Sequence, residues 1–314
     1  MRDSDVYRWT HPGTILVATD LSDLDHLMPF AFQQASDAGA HIILLHVLST
    51  TSAFTADAVG MPYYDTAGAL EIAEQVMHPW CEAATRRGIH CDILAREGHP
   101  TEQIAAAIRQ FHVDRVLVGT RSRSKLGKLL IGSVAEQVLR SVYLPVITVG
   151  PEAHLPVDPD EERVVLHATT LRETSRPSAA LACQAAAAQN ARLVLLHVLP
   201  PIPEMERNGQ HTEMASAAKL ELRLLASQVG ADCCSAVEPV VVHGNPSIEI
   251  LALAEERHAR LIVLGATQRS AIENLTRDRT VYRVLAHARC PVLTLREPEN
   301  IADELHAASV GAHH

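Results

Sequence analysis

Short, continuously apolar runs alternate along the chain with longer, alanine-rich segments. Continuous apolar runs are typical of parallel strands that are buried on both faces, so the pattern predicts an α/β protein with parallel sheets covered by helices. Strands are predicted near residues 14–18, 42–48, 89–95, 115–118, 146–149, 163–167, 193–198, 237–242, 261–264 and 292–295. Helices are predicted near residues 28–38, 69–87, 101–111, 133–141, 177–190, 212–229, 246–258 and 279–287.

The two halves of the chain repeat each other. Ile15–Leu21 matches Val165–Leu171, and Ile43–Leu48 matches Val194–Leu199. Later matches join Gly98–Pro100 to Gly244–Pro246, Val116–Gly119 to Ile262–Gly265, and Leu144–Val149 to Cys290–Leu295. Because these matches occur in one order, they predict two domains at residues 1–150 and 162–298, a proline-rich linker at 151–161 and a tail at 299–314.

Helix-capping patterns support the predicted element boundaries. Pro100 and Pro246 suit the first turn of a helix, where their missing N–H does no harm, and Asn245 is a good cap. Ser133 and Glu136 form a Ser-x-x-Glu pattern, which predicts a capping box at the start of the fourth helix.

The composition narrows the class of partner. The 314 residues are 47% hydrophobic and carry a formal net charge of −10. The only dense basic run is Arg121–Lys128, so nucleic acid and anionic membranes are excluded as main partners. The first residues contain no apolar run, and the longest apolar stretches are strand-sized. We therefore expect a soluble, cytoplasmic protein.

The cysteines and histidines predict neither a disulfide framework nor a metal site. The 6 cysteines contain no Cys-x-x-Cys pattern, and Cys233 and Cys234 are adjacent. We expect free thiols in a reducing compartment. The 18 histidines form no His-Glu-x-x-His pattern, so no metal is assigned.

The segment from Gly119 to Ser133 is the strongest candidate for chemistry. It leaves a buried strand, passes through small and basic residues, and ends at a helix. Such a loop exposes backbone N–H groups and can direct a helix N-terminus at a phosphate. The alternative is a plain connector with a solvated basic face.

A Walker A loop is considered because Gly127 and Lys128 resemble its end. The pattern fails at two positions, because Ser122 stands where the first glycine belongs and Leu129 stands where the magnesium-binding hydroxyl belongs. The chain is therefore not a P-loop ATPase.

The spacing of Gly119, Ser122, Gly132 and Ser133 resembles the Gly-x2-Gly-x9-Gly-Ser/Thr signature of the universal stress protein family. It is accompanied by Ala18–Asp20, Leu45–Val47, Gly98–Pro100 and Pro145–Val146. The chain departs from the signature at Ser122, which is small enough to keep the turn. Both halves share the resemblance, so the chain is identified as a tandem member.

The resemblance implies two tandem, open, five-stranded parallel sheets of Rossmann-like type. Their first and fourth strands are neighbours at the switch in strand order, where such sheets bind ligands. It also implies ATP, with or without Mg²⁺, as the ligand of the first half. The adenine and ribose would contact Ala18, Thr19, Asp20 and Val47, and the phosphates would be lined by Gly119, Thr120, Arg121, Ser122, Arg123, Gly132, Ser133 and Val134. Taken alone, Asp20 is equally typical of a helix cap or turn, and Val47 of the core.

The second half is predicted to keep the fold and lose the site. Thr170 replaces Asp20, Gln268 replaces Ser122, Glu273 replaces Gly127, and Asp278-Arg279 replaces Gly132-Ser133. A carboxylate about 4 Å from a phosphate charge costs about 4 kcal/mol at an effective dielectric constant near 20. Arg269, Arg277 and Arg279 leave an altered anion site open.

A nucleotide-binding stress-response or signalling module is the leading functional interpretation. No residue set suits efficient hydrolysis, so we expect at most weak ATPase activity and assign no catalytic residue. The alternatives are a slow ATP hydrolase or adenylating enzyme, whose Ser-Gly-Gly-x-Asp-Ser loop is missing, and a dimerisation module that binds no nucleotide. The resemblance implies pairing through each last strand, either within one chain or in a homodimer.

Overall fold

The computed structural model describes residues 11–49, 65–120, 131–155, 162–172, 175–201, 210–230, 236–267 and 279–297. The chain folds into two compact units. We call His11–Val149 the first unit, and the described residues from Gly150 onwards the second unit. Part of the predicted linker, residues 156–161, and the predicted tail, residues 299–314, lie outside the described residues.

The first unit is a parallel sheet with helical connections. Its elements are β1 (Thr14–Thr19), α1 (Leu24–Ala38), β2 (His41–Leu48), α2 (Thr66–Thr85), β3 (Cys91–Glu97), α3 (Pro100–Gln110), β4 (Arg115–Gly119), α4 (Ser133–Ser141) and β5 (Val146–Val149). The strand order is β3-β2-β1-β4-β5, and every pair is parallel. The expected neighbours β1 and β4 are therefore confirmed.

The second unit repeats this arrangement. Its elements are β6 (Val164–Ala168), α5 (Arg176–Ala188), β7 (Arg192–Leu199), α6 (Gln210–Gly230), β8 (Val237–His243), α7 (Pro246–Glu256), β9 (Leu261–Thr267), α8 (Arg279–His287) and β10 (Val292–Glu297). Its strand order is β10-β9-β6-β7-β8, again with parallel pairs. The predicted α/β class and the five parallel strands of each unit are confirmed.

The central strands are buried because helices cover both faces of each sheet. Ile15, Leu16 and Val17 of β1 have no exposed surface, and neither do Leu27 and Met28 of α1. This explains why the strands are apolar at consecutive positions instead of alternate ones.

The duplication extends to unusual backbone conformations. Leu21 and Leu171 follow the central strands and have φ values of 73° and 58°. His112 and His258, which follow the third helix of each unit, have φ values of 49° and 47°. Because residues other than glycine rarely adopt positive φ, their recurrence at matched positions shows that the two units follow the same backbone path.

The capping predictions are confirmed at two helices and wrong at a third. Pro100 and Pro246 occupy the first turns of α3 and α7, and Asn245 Oδ1 accepts a hydrogen bond from Ser247 N at 3.1 Å.

The predicted capping box at Ser133 and Glu136 does not form. Gly132 is the N-cap of α4, so Ser133 is already helical, and no side chain caps this end within the described residues. Glu136 instead pairs with Arg140, one turn along, with 2.7 Å between Oε1 and Nη2.

A buried carboxylate links the amino-terminal ends of β1 and β4. Asp114, just before β4, accepts hydrogen bonds through Oδ2 from Gly13 N at 2.9 Å and Thr14 N at 3.1 Å. The side chain is 7% exposed. Asp114 therefore satisfies two backbone donors at the start of the central strand.

The expectation of free thiols is wrong for three cysteines. Cys81 of α2 and Cys91 of β3 form a disulfide with 5.2 Å between their Cα atoms, and Cys183 is also disulfide-bonded. A spacing pattern does not predict these bonds because they depend on proximity in the fold. Cys290 is the free cysteine of the described residues, and burial raises the pKa of its thiol to about 12.

None of the helices in the described ranges combines the length and apolarity that a bilayer crossing requires.

A neutral histidine is buried in the second unit. His167 of β6 has no exposed surface, and its Nδ1 donates a hydrogen bond to the carbonyl oxygen of Val263 at 3.0 Å. Its Nε2 has no hydrogen-bond partner among the described residues. Burial lowers the pKa of His167 to about 4. The matching residue of the first unit is Val17, so the imidazole is not required by the fold.

We expect His167→Val to reduce the acid sensitivity of folding. Above pH 6.5 the histidine is neutral in both folded and unfolded chains; as the pH falls from 6.5 towards 4, only the unfolded chain gains this proton. The native protein should therefore lose about 3 kcal/mol of unfolding free energy over this range through His167, and the variant should not. Urea denaturation at both ends of the range measures the difference. Replacing exposed His154 by alanine is the control, and equal losses in native protein and His167→Val would contradict the assignment.

Candidate functional site

The candidate site of the first unit is the crevice where the strand order switches. β1 lies between β2 and β4, with Ala18 opposite Leu45 on one side and Val118 on the other. Because the three strands are parallel, their carboxyl ends meet at one edge. Open parallel sheets bind ligands at such a switch in strand order, in the crevice outside the carboxyl ends of their strands.

A hydroxyl organises the turn that follows β1. Thr19 Oγ1 donates a hydrogen bond to Asp23 Oδ1 at 2.8 Å and accepts one from Leu21 N at 2.9 Å. His46 Nδ1 of β2 donates to the carbonyl oxygen of Thr19 at 3.0 Å. These bonds hold Leu21 in its left-handed conformation, so the turn is built with a fixed shape.

The predicted adenine-end residues lie together at this edge. Asp20 is exposed at the crevice, and its Oδ1 accepts hydrogen bonds from Ser22 N at 2.9 Å and Ser22 Oγ at 2.5 Å. It is a turn residue whose carboxylate still faces solvent. Ala18 and Val47 are half-buried, and Val47 lies opposite Arg96 in β3.

Asp23 is the residue of this site that the sequence analysis missed. It directly precedes α1 and is only 6% exposed. A Cβ on Gly119 would overlap Asp23 Oδ2, so the glycine at the end of β4 leaves space for this carboxylate. Burial raises the pKa of Asp23, the hydrogen bond from Thr19 opposes that rise, and the nearby charge of Asp20 adds to it. An acidic residue directly before a helix is a signal in the sequence, but its contact with Gly119 depends on the fold.

The structure describes some of the residues that are predicted to line the phosphates. Gly119 pairs with Val149 of β5, and Thr120, which is 3% exposed, continues the ladder through a hydrogen bond from its N to Val149 O at 3.0 Å. Gly132 is the N-cap of α4, Ser133 is exposed, and Val134 is half-buried. The predicted residues Arg121, Ser122 and Arg123 lie outside the described residues.

The electrostatics of the crevice differ between its two sides. α4 begins after β4, so its first N–H groups and the positive end of its dipole lie at the same edge as the strand ends. The β1 side carries the carboxylates of Asp20 and Asp23. This arrangement provides donors for an anion on one side and acceptors for amino or hydroxyl groups on the other.

The described part of the matching turn in the second unit keeps the threonine and histidine bonds but carries hydroxyls in place of Asp20 and Asp23. Thr169 Oγ1 accepts a hydrogen bond from Leu171 N at 3.1 Å, and His197 Nδ1 donates to Thr169 O at 2.9 Å. Thr170 Oγ1 lies 3.0 Å from the Oγ of Ser175, which precedes α5 as Asp23 precedes α1. Hydroxyls thus replace both acids. The changed loop positions Gln268, Glu273 and Asp278 lie outside the described residues.

Comparison with known proteins identifies the family to which the chain belongs. The model of the universal stress protein family matches residues 12–150 and again residues 162–296. The chain therefore belongs to the universal stress protein family, as a tandem, two-domain member.

One relative matches less than half of the chain, and another matches most of it. A universal stress protein of Thermus aquaticus is 31% identical over 140 residues, which cover 43% of this chain and 97% of the relative. A universal stress protein of Mycobacterium tuberculosis is 27% identical over 237 residues, covering 73% of this chain and 74% of the relative.

Solved structures share the fold over almost the whole chain. A universal stress protein from Archaeoglobus fulgidus superposes with a TM-score of 0.68 at 21% identity, covering 93% of this chain and 98% of the other. A putative universal stress protein from Pseudomonas aeruginosa gives a TM-score of 0.63 at 17% identity, with 95% and 99% covered.

We expect Gly119→Ala to destabilise the protein through Asp23. The new methyl group forces the carboxylate away from Thr19, which breaks a buried hydrogen bond and should cost about 1–3 kcal/mol of unfolding free energy. In an Asp23→Ala background the same change should cost much less. Urea denaturation of the native protein, both single variants and the double variant measures the coupling. Costs that add within about 0.5 kcal/mol would show that Asp23 does not impose the glycine.

Proposed function

We propose that the first unit binds an adenine nucleotide, ATP with or without Mg²⁺, in the crevice between β1 and β4, and that the protein acts as a stress-response or signalling module. Membership of the universal stress protein family and the switch in strand order at this crevice support the proposal.

The proposal rests chiefly on the bare amino end of α4. Gly132 has no side chain, and within the described residues no side chain caps this end. A helix start normally needs acceptors for its first N–H groups, and phosphate oxygens meet that need. Ser133 is exposed at the same end and adds a hydroxyl donor. Arg121, Ser122 and Arg123 of the signature would complete the phosphate side.

The β1 side fits the nucleoside. The exposed carboxylate of Asp20 offers a hydrogen-bond acceptor to a ribose hydroxyl or to an exocyclic amino group. The half-buried side chains of Ala18 and Val47 offer apolar surface to a base, next to the backbone of Thr19. These groups lie at the ends of adjacent strands, so one ligand can reach them and the start of α4.

Magnesium and hydrolysis are secondary parts of the proposal. Mg²⁺ would enter with the phosphates and would be held mainly by phosphate oxygens and water. Asp23 is buried and bonded to Thr19, and Asp20 lies on the proposed nucleoside side, so neither carboxylate is placed to activate a water molecule at the phosphates. We therefore propose binding as the main activity, with at most weak ATPase activity.

The second unit is proposed not to bind ATP in the family manner. Thr170 and Ser175 bond to each other where the first unit has Asp20 and Asp23, so the described part of its turn offers the nucleoside no carboxylate. Asp278, the sequence counterpart of Gly132, would bring a negative charge towards the phosphates.

A cytoplasmic location belongs to the same proposal, because adenine nucleotides are abundant there. In that compartment the bond between Cys81 and Cys91 would be open to reduction.

We expect Gly132→Asp, which copies Asp278, to abolish nucleotide binding. A carboxylate about 4 Å from a phosphate charge costs about 4 kcal/mol, which corresponds to about a thousandfold loss of affinity. Isothermal titration calorimetry with ATP measures this loss. Mass spectrometry of ligand released from freshly purified, denatured protein should find one adenine nucleotide per chain.

Gln137→Asp is the matched control. It adds the same charge to the same helix at an exposed position beyond the first turn, so affinity should change by less than about tenfold. Unchanged affinity in Gly132→Asp would refute the proposed phosphate side. Two nucleotides per chain would refute the loss proposed for the second unit, and no binding at all would favour the dimerisation module.

A further inference from the structure

A group of two imidazoles and one carboxylate lies at the other end of the first unit's sheet. The ligand atoms of His41, His90 and Asp92 lie within 4.8 Å of one another. Within the described parts of the chain, no other group of three such residues lies this close. His41 begins β2 and Val47 lies near its far end, so the cluster and the proposed nucleotide crevice are about 20 Å apart.

The backbone holds the three residues on one face. Ile42 N donates a hydrogen bond to His90 O at 2.9 Å, and Ile43 lies opposite Asp92 in the β2–β3 pair. Side chains alternate along strands, so His41, His90 and Asp92 all point to the same side. Cys91, between the last two, is tied to α2 by its disulfide, which anchors the segment.

The side chains of the cluster lie close to one another. His41 Nε2 lies 3.1 Å from Asp92 Oδ2, yet among the described residues this buried nitrogen has no hydrogen-bond partner of acceptable geometry. The rings of His41 and His90 meet edge to face with 4.4 Å between their centroids.

The second unit shows what a purely structural contact looks like at this place. Arg192 matches His41, Ala236 matches His90, and Glu238 matches Asp92 by the same strand register. Arg192 Nη1 pairs with Glu238 Oε2 at 3.3 Å. An arginine satisfies the carboxylate but cannot bind a metal. The first unit has two imidazoles in place of this arginine and alanine. An ion pair with the carboxylate needs only one cation, so the second imidazole adds a metal-ligand atom that an ion pair does not require.

We propose that His41, His90 and Asp92 form a binding site for a divalent transition metal, and that the metal is zinc. Two imidazole nitrogens and one carboxylate oxygen, with water in the fourth position, are a common zinc donor set. Imidazole also selects against Mg²⁺ and Ca²⁺, which prefer oxygen.

The geometry needs only small side-chain adjustments to close around zinc. Zinc lies about 2.0–2.2 Å from such ligands, which places the ligand atoms of a tetrahedral site about 3.4 Å apart. His90 and Asp92 are exposed, so their side chains are free to rotate inward towards His41. The metal then joins β2 to the edge strand β3 at their first residues and stabilises that edge.

The test compares zinc binding by the native chain with that of His41→Arg combined with His90→Ala, which copies Arg192 and Ala236. Isothermal titration calorimetry with ZnCl₂ should show one zinc equivalent fewer in the double variant. Because the tail contains further histidines, the difference between the two proteins is the informative quantity. At a zinc concentration about a hundredfold above the dissociation constant, the thermal midpoint of the native chain should rise by about 5–10 °C, and the double variant should lack this rise.

Two further variants make the outcome decisive. Asp92→Asn keeps the size of the side chain and should weaken zinc binding at this site at least about tenfold, so it serves if the double variant does not fold. His78→Ala is the control, since His78 and Glu82 form an exposed pair with 3.4 Å between Nδ1 and Oε1 but have no third ligand among the residues that the structure describes. It should leave the zinc stoichiometry unchanged.

Equal stoichiometry and affinity in the native protein, the double variant and Asp92→Asn would overturn the proposal. MgCl₂ should bind none of these proteins at this site. Loss of zinc binding with intact ATP binding separates this site from the nucleotide crevice.

Discussion

The placement of β1 between β2 and β4 is the constraint on which the first unit depends. Parallel pairing on both sides makes β1 a buried core strand, and it brings the carboxyl ends of three strands to one edge. Thr19 and Asp23 complete a turn with little freedom at that edge, and Gly119 leaves space for it. The crevice is therefore a consequence of strand order, and side chains decide only what it accepts.

The architecture was predictable from the sequence, because consecutive apolar residues in a repeated order define buried parallel strands. The details that were wrong or missed depend on proximity across the fold. The helix boundary at Gly132, one residue before the expected serine, left Glu136 to pair with Arg140. The contact of Asp23 with Gly119 and the bond between Cys81 and Cys91 join different elements, which periodicity does not detect.

The duplicated units have kept their backbone and changed their polar chemistry. The left-handed leucines, the threonine hydroxyl and the histidine that bonds to the threonine carbonyl recur in both. Carboxylates in one unit correspond to hydroxyls in the other, and two histidines correspond to an arginine and an alanine. Backbone-supporting bonds thus recur at both ends of the sheets, whereas the groups available to a ligand have diverged.

The carboxylate of Asp114 also bears on the order of events during synthesis. Its partners, Gly13 and Thr14, are 101 and 100 residues away in the chain. At a translation rate of about 5–20 residues per second, the amino end of β1 waits about 5–20 seconds for its acceptor to leave the ribosome. The similar strand β6 is made only afterwards. Completion of the first sheet before Val164 emerges would keep the nascent repeats from exchanging their central strands.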